Sequence, residues 1–426
     1  MTQHFTQNFG PDDEPIVITG VGLLASVGND RESVWQNVRS GHSGVRSLAG
    51  LPHIPDGLLI AATSELAIDR PRRLKVVALC RAAAAEAMAD SGVDLERINR
   101  DRFGCAISGH MGDTGFIEDM QLGSQQSVAP NVIPWWQQWM PNSACSLVAN
   151  EYGLAGPRIC HSTACASGLI DILAAHRSIR DGQCDIALAG SGEGLHPLFA
   201  AGFYQMRVLA EAGNDPRQAC RPYDVNRSGF VMGEGAAMLV LERLSHARRR
   251  GATVYAELIG GTMHAEAHHV TGLDTEADSL AHLITHTLER TGLEAKDIGY
   301  INTHGTGTLQ NDVSEVRAIR RALGPAADRL CVSSTKSMLG HLVNAAGSVE
   351  LAITALALRD RFVPPTANLY EQDPQCDLDC VPLVGREQDF RHALKISVAF
   401  GGHLVGVTMR RWDESDARPA EKSRAA

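Results

Sequence analysis

Several things are missing from this chain of 426 residues. No apolar run approaches the ~20 residues that a membrane span requires. Positive charge is not in excess: 39 lysines and arginines stand against 49 aspartates and glutamates, a formal net charge of −10. General attraction to nucleic acid or to an anionic bilayer is thereby disfavoured, and an acidic partner would have to meet a local basic patch. The ten cysteines (Cys80, Cys105, Cys145, Cys160, Cys165, Cys184, Cys220, Cys331, Cys376 and Cys380) include no CxxC pair. A zinc ribbon or a disulfide framework would space them more tightly, so most read as small buried hydrophobes in a reducing compartment. Residues 1–13 are polar and lack the cationic, then apolar, layout of a secretory leader. A cytoplasmic protein is expected.

What is present has ordinary globular proportions, 44% apolar and 21% charged. The length is large for one simple domain and points to two closely packed halves. Short β-like runs alternate with amphipathic helical ones. Residues 15–20, 103–108, 186–190 and 236–241 read as buried strands, and 81–89 as part of an alanine-rich helix. A second series follows, with strands at 255–259, 298–302, 331–334, 396–400 and 405–409, and helices near 280–291, 312–323 and 345–358. Strand and helix alternating twice predict two α/β halves joined near residues 248–253: one spanning 1–252, one spanning 253–412, and a polar tail at 413–426 expected to be disordered. Gly20-Val-Gly22-Leu-Leu-Ala25 looks like a dinucleotide fingerprint but lacks an acidic residue after a second strand, so it reads as a tight glycine turn.

The first chemical signal is Ser162-Thr-Ala-Cys165-Ala-Ser-Gly168, followed by the amphipathic run LIDILAAHRSIRDG. Cys165 therefore sits where a loop becomes a helix. The positive end of the helix dipole favours thiolate there, and small neighbours permit a sharp turn, as in a nucleophile elbow with sulfur in place of oxygen. A buried structural cysteine would fit the same segment. Two histidine segments shift the balance. Asn302-Thr-His304-Gly-Thr306-Gly-Thr308 follows one predicted strand, and Ser334-Thr-Lys336-Ser-Met-Leu-Gly340-His341 follows the next. Two histidines at comparable strand ends, together with a cysteine at a helix start, form a constellation suited to covalent catalysis.

These segments, with RPYDVNRSGFVMGEGA at 221–236, NAAGSVE at 344–350 and AFGG at 399–402, resemble the β-ketoacyl-ACP synthase I/II family in wording, order and spacing from about residue 15 to residue 409. The resemblance implies a thiolase fold, a duplicated five-layered α/β/α/β/α architecture, and a homodimer. It implies decarboxylative Claisen condensation of malonyl-ACP with an acyl chain held on Cys165. His304 and His341 would assist decarboxylation, because the enolate it leaves needs hydrogen-bond donors already in place. The backbone N–H groups of Cys165 and Phe400 would receive the thioester oxyanion. Lys336 and Glu350 would organise the network around the histidines, and Gly401, Thr306 and Thr308 would meet the substrate. Arg72, Arg73 and Arg207 match positions that meet the acidic helix of the carrier protein. The phosphopantetheine arm belongs to that carrier, so no organic cofactor is expected, though relatives hold a monovalent cation for which Asn302 and Glu350 would be the equivalents.

Departures accompany the match. The closing NSFGFGGTN of many relatives is here Ile396-Ser-Val-Ala-Phe400-Gly-Gly-His403-Leu404, which alters the surroundings of Phe400. His110 stands where relatives carry a small or apolar residue beside the acyl pocket, where it could restrict the pocket, bind a polar substrate or face the dimer partner; an unpaired imidazole beside the chain would disfavour long saturated chains. Trp135, Trp136 and Trp139 read as interface or pocket-wall aromatics. His264, His268 and His269 have helical spacing but no completing ligand, so no metal site is expected. A chain-length-factor role is disfavoured by the presence of Cys165. A degradative thiolase is disfavoured because no second cysteine follows Phe400.

Overall fold

Ten residues from Ile16 to Ala25 form one unbroken strand, β1 (Ile16–Ala25), buried at every position. The tight turn expected at Gly20 and Gly22 is absent. A Cβ on Gly20 would lie 2.4 Å from the carbonyl oxygen of Ala87, and one on Gly22 would lie 1.9 Å from that of Ala83. Both oxygens belong to helix α1 (Lys75–Ser91), so these glycines let an alanine-rich helix settle directly onto the strand. The computed structural model describes residues 14–47, 58–61, 75–109, 140, 142–195, 197–211 and 213–413. His110, Arg72, Arg73, the three tryptophans and all but the first residue of the expected tail lie outside them.

After β1 come β2 (Phe103–Gly109), β3 (Arg158–Ile159), β4 (Ile186–Glu193) and β5 (Gly235–Arg243). A second set follows: β6 (Ala256–Ala265), β7 (Ile298–Asn302), β8 (Cys331–Ser333), β9 (His392–Ala399) and β10 (His403–Arg411). The ladder runs β8-β7-β9-β10-β6-β1-β5-β4-β2-β3. Read outward from its centre, each half has the same order and the same mixture, with two antiparallel pairings and then two parallel ones. The halves are joined by an antiparallel pairing of β1 with β6 through Val17↔Glu257 and Ile18↔Ala256.

Helices repeat as the strands do. In the first half α1, α2 (Ser143–Tyr152) and α3 (Ser167–Arg180) follow β1, β2 and β3; in the second, α4 (Asp278–Thr291), α5 (Leu309–Leu323) and α6 (Ala346–Asp360) follow β6, β7 and β8. Helices α1 and α2 cover the outer face of one half-sheet, and α4 and α5 cover that of the other. Between the half-sheets lie α3 and α6, buried along most of their lengths. This is the expected α/β/α/β/α layering. A helix with one apolar stripe would not survive in the middle layer, and α6 accordingly buries every residue from Ala346 to Leu358.

Most predicted elements are present and somewhat longer than expected. Two further local expectations fail. The strand predicted through Phe400 ends at Ala399, and Phe400 opens the hairpin turn into β10, where Gly401 and Gly402 adopt φ of 86° and 76°. His264 lies at the end of strand β6 rather than on a helix, and its Nε2 contacts Nδ1 of His286 on α4 at 2.8 Å. Among the described residues no group of three or more His, Cys, Asp or Glu side chains is arranged to hold a metal ion, and no helix is long and apolar enough to cross a membrane.

Candidate active site

Both middle-layer helices begin with the same device. A single 3₁₀ turn, Ala164–Ala166 in one half and Val343–Ala345 in the other, leads directly into the helix. The first residue of each turn is forced to positive φ, 49° at Ala164 and 41° at Val343. L-residues rarely accept that region, and such strain is maintained only where the surroundings enforce it. Cys165 and Asn344 are the residues presented by the two turns. Gly168 and Gly347 occupy equivalent places one turn later, and a Cβ on Gly347 would lie 2.9 Å from the backbone nitrogen of Leu169. The two helix starts are thus packed against one another with no room for a side chain between them.

This crossing brings the separate sequence segments together. His341 Nε2 lies 3.1 Å from Cys165 Sγ, and the His304 and His341 rings meet edge to face at 5.3 Å between centroids. Nδ1 of His341 accepts the N–H of Val343 at 3.3 Å, which leaves the ring proton on Nε2, facing the sulfur. Cys165, His304 and His341 are 5%, 5% and 3% exposed. Burial, followed by the nearby positive charge of Lys336, holds both imidazoles well below the usual histidine range, so they are neutral donors. Burial also pushes the Cys165 thiol up to about 12, with Lys336 opposing it. The helix start alone suggested a thiolate; the burial of the site makes the resting group a thiol.

Behind the histidines lies a buried charge network. Lys336 Nζ donates to the carbonyl oxygen of His304 and to Glu350 Oε1, each at 2.5 Å. The other carboxylate oxygen, Oε2, ion-pairs at 2.7 Å with Lys395 on β9. The His304 loop is held from its opposite side by α5. Glu315 accepts the N–H groups of His304 and Gly305 at 2.5 and 2.8 Å, and Asp312 accepts that of Gly307 at 3.2 Å. Burial raises the Glu315 carboxyl to about 7 despite these donors. The segment at 221–236 contributes a further brace, because the Tyr223 hydroxyl donates to Thr303 Oγ1 at 2.6 Å.

A cavity of about 330 Å³ opens onto this group. Its lining includes Cys165, His304, Thr306, Thr308, His341 and Phe400. Thr306 and Thr308 hydroxyls lie 2.9 Å apart on one wall. Phe400, Phe203 and Phe230 form an aromatic row that ends on the His341 ring, with successive centroid separations of 6.3, 5.3 and 5.2 Å. Arg207 also lines the cavity; it is exposed and held at φ 54°. Gly401 is outside the lining, and its N–H is committed to the carbonyl oxygen of Val270 at 2.7 Å. The sequence thus assembled the cysteine, the histidines, Lys336, Glu350, the threonines and Phe400, while Gly401 serves the turn.

Two family profiles match the chain in tandem: Beta-ketoacyl synthase, N-terminal domain, over residues 13–72 and 66–247, and Beta-ketoacyl synthase, C-terminal domain, over residues 255–370. The chain belongs to the β-ketoacyl synthase family. This synthase is 38% identical over 400 residues to a 3-oxoacyl-[acyl-carrier-protein] synthase 2 of Coxiella burnetii, a match covering 91% of this chain and 96% of the relative. It is 37% identical over 424 residues to the ketoacyl synthase alpha subunit of the tetracenomycin polyketide synthase of Streptomyces glaucescens, covering 95% and 98%. Among solved structures, a type II polyketide ketosynthase in complex with its acyl-carrier protein superposes with a TM-score of 0.86 at 33% identity, covering 94% of this chain and all of that one. The synthase has the thiolase fold of these enzymes and is a condensing enzyme of the acyltransferase type.

Several residues of the synthase's site escaped the sequence reading, among them Glu315, Lys395 and Asn344. Lys395 had a legible signal, a lone cation inside the buried strand HALKISVA. Glu315 had a weaker one, as an acidic residue early in the helix that follows a Gly/Thr loop. Asn344 emerges only from the likeness of the two 3₁₀ turns that open the middle-layer helices. In the second half it stands where Cys165 stands in the first, and its Nδ2 donates to Gly192 O at 3.0 Å.

Proposed function

We propose that this synthase extends an acyl chain held on Cys165 by decarboxylative condensation with malonyl-ACP. The observation that carries the reading is a pair of neutral imidazoles packed edge to face in the cavity that Cys165 lines, one of them presenting its Nε2 proton to the sulfur. Sγ of Cys165 attacks the thioester carbonyl of an acyl carrier protein. The bond to the carrier's phosphopantetheine sulfur breaks, and the carrier leaves as the thiol, taking the cysteine's proton. A malonyl thioester then occupies the emptied end of the cavity. Its C–C bond to the carboxylate breaks, carbon dioxide departs, and the electron pair becomes an enolate whose oxygen accepts hydrogen bonds from His304 and His341. That carbon attacks the Cys165 thioester. The resulting oxyanion is received by the backbone N–H groups of Cys165 and Phe400, and its collapse breaks the C–S bond, releases the β-ketoacyl carrier protein and leaves the Cys165 sulfur, which takes up a proton from solvent to return to the thiol.

Neutral donors suit this sequence, since an enolate forms transiently in a water-poor site and oriented N–H groups there need no reorganisation. The threonine wall fits the amide-bearing phosphopantetheine arm, which the carrier supplies, so the reading asks for no organic cofactor of the synthase's own. Carrier protein docks at the rim marked by Arg207, with Arg72 and Arg73 as further contacts on the strength of the family resemblance alone, and the working unit is a cytoplasmic homodimer. Mass spectrometry of the synthase with malonyl-ACP and a panel of acyl-ACPs tests the reading. Acyl-Cys165 followed by a β-ketoacyl-ACP two carbons longer is the expected result. An acyl adduct on any other cysteine ends it, and native mass spectrometry that finds only monomer removes the homodimer.

A further inference from the structure

Strand β9 reads His392-Ala-Leu-Lys-Ile-Ser-Val-Ala399, and from Ala393 onward it is buried. A fully buried lysine in such a strand is costly unless its ammonium is surrounded by oxygen. Lys395 meets that condition. In the parallel register it sits beside Asn302, the last residue of β7, where the chain leaves the ladder for the His304 loop. Nζ donates to the carbonyl oxygens of Ile396 at 2.5 Å, Thr303 at 3.0 Å and Asn302 at 3.4 Å, and ion-pairs with Glu350 Oε2 at 2.7 Å. Three backbone carbonyls and one carboxylate converge on a single positive centre, the shell that a dehydrated monovalent ion takes from a protein. Burial pulls the ammonium down to about 8, with Glu350 opposing, which leaves it mostly charged at neutral pH.

The residues present therefore do not fit the separate cation that relatives led us to expect near Asn302 and Glu350. Asn302 O and Glu350 Oε2 are already engaged by the ammonium, and although Asn302 Oδ1 and Ser397 Oγ keep no hydrogen-bond partner, a second cation among them would face the charge of Lys395 at close range. We infer that Lys395 is a positioning residue whose side chain is a built-in monovalent cation, tethering the His304 loop and Glu350 so that this synthase takes no diffusible ion there. The cage acts through its neighbours. It holds the carbonyls on either side of the step from β7 to His304, and it gives Glu350 a second positive partner opposite Lys336.

The test exchanges K⁺, Na⁺ and N-methylglucamine at constant ionic strength. Its primary readout is melting temperature, so it stands apart from the condensation reading on which only the kinetic arm rests. The wild-type protein should melt at the same temperature in all three salts. Lys395→Ala empties the cage but leaves its oxygens, so it should melt higher in K⁺ or Na⁺ than in N-methylglucamine. Lys395→Met fills the space with an apolar chain and should show no salt preference. In the kinetic arm, malonyl decarboxylation by Lys395→Ala should fall ~10- to 100-fold in N-methylglucamine, the cost typical of a partner one layer behind a reacting group. K⁺ or methylammonium should restore part of that loss in kcat, with KM and acyl loading of Cys165 little changed. If Lys395→Ala folds poorly, a refolding yield that rises with K⁺ supports the inference, and a yield equally poor in every salt overturns it. Wild-type stability that depends on K⁺ or Na⁺, or a Lys395→Ala protein indifferent to all cations, also overturns it.

Discussion

Replacing Lys336 with methionine keeps most of the side chain's volume and removes its charge. Lys336 and Glu350 are 0% and 1% exposed, so water does not screen the pair. Removing one member of a buried ion pair costs ~3–5 kcal/mol, because the other is left charged and uncompensated. Here Lys395 remains 2.7 Å from Glu350 Oε2, which places the expected loss at the lower end, about 3 kcal/mol. The kinetic effect should be of similar size in free energy. Lys336 also holds the carbonyl of His304, and a displaced donor is worth on the order of a hundredfold in the step that forms the enolate. The pH dependence has a definite sign. Burial first and Lys336 second depress the pKa values of His304 and His341. Without Lys336 both imidazoles take up a proton at higher pH, and at His341 that proton displaces the Val343 N–H from Nδ1. The acidic limb of malonyl decarboxylation should therefore move to higher pH in Lys336→Met. Malonyl-ACP turnover would be followed by mass spectrometry from mildly acid to mildly alkaline buffers, beside thermal melts of both proteins. An acidic limb that stays in place, or moves to lower pH, would refute the electrostatic part of this reasoning.

Other expectations are simpler. His304→Ala and His341→Ala should each slow decarboxylation by on the order of a hundredfold or more while sparing acyl loading of Cys165 in single-turnover labelling; equal loss in both half-reactions would mean the roles are wrongly assigned. Arg207→Glu should raise KM for acyl-ACP more than for a small acyl thioester, and the wild-type KM should itself rise with salt; a salt-independent KM removes the docking role. Gly22→Ala should lower stability by ~1–3 kcal/mol in denaturant titration, since its Cβ would fall 1.9 Å from the Ala83 carbonyl oxygen, and a neutral substitution would show that α1 can lift off β1 at no cost.

Much of the fold was legible because its strands are buried on both faces and so read as short continuous apolar runs, as at Ile298–Asn302. Turn chemistry was less legible. Gly20 and Gly22 carry the composition of a turn, yet the approaching helix, and not a backbone reversal, requires them. Phe400 carries the composition of a strand, yet two left-handed glycines after it end the strand one residue earlier. At the site, the residues proposed for chemistry are marked in the sequence by type and spacing, as with Cys165, His304 and His341, which the structure brings together. Residues that hold those groups are not so marked. Glu315, eleven residues downstream on helix α5, accepts backbone N–H groups of the His304 loop, and that role depends on how α5 docks. Arg72, Arg73 and His110, expected at the docking patch and the pocket, fall outside the described residues.

The seam between β1 and β6 has a consequence for how this enzyme would fail. Cys165 is carried by the first repeat and both histidines by the second, so the sulfur-to-imidazole distance of 3.1 Å is a measurement taken across the join between two halves. That join includes just two paired positions in the sheet, together with the crossing of α3 and α6. A rotation of one half by a few degrees would shear the core that the two halves share but leave the outer core and outer helices of each half in place, and would separate the Cys165 sulfur from the imidazoles. Heat or denaturant should thus silence condensation before it melts secondary structure.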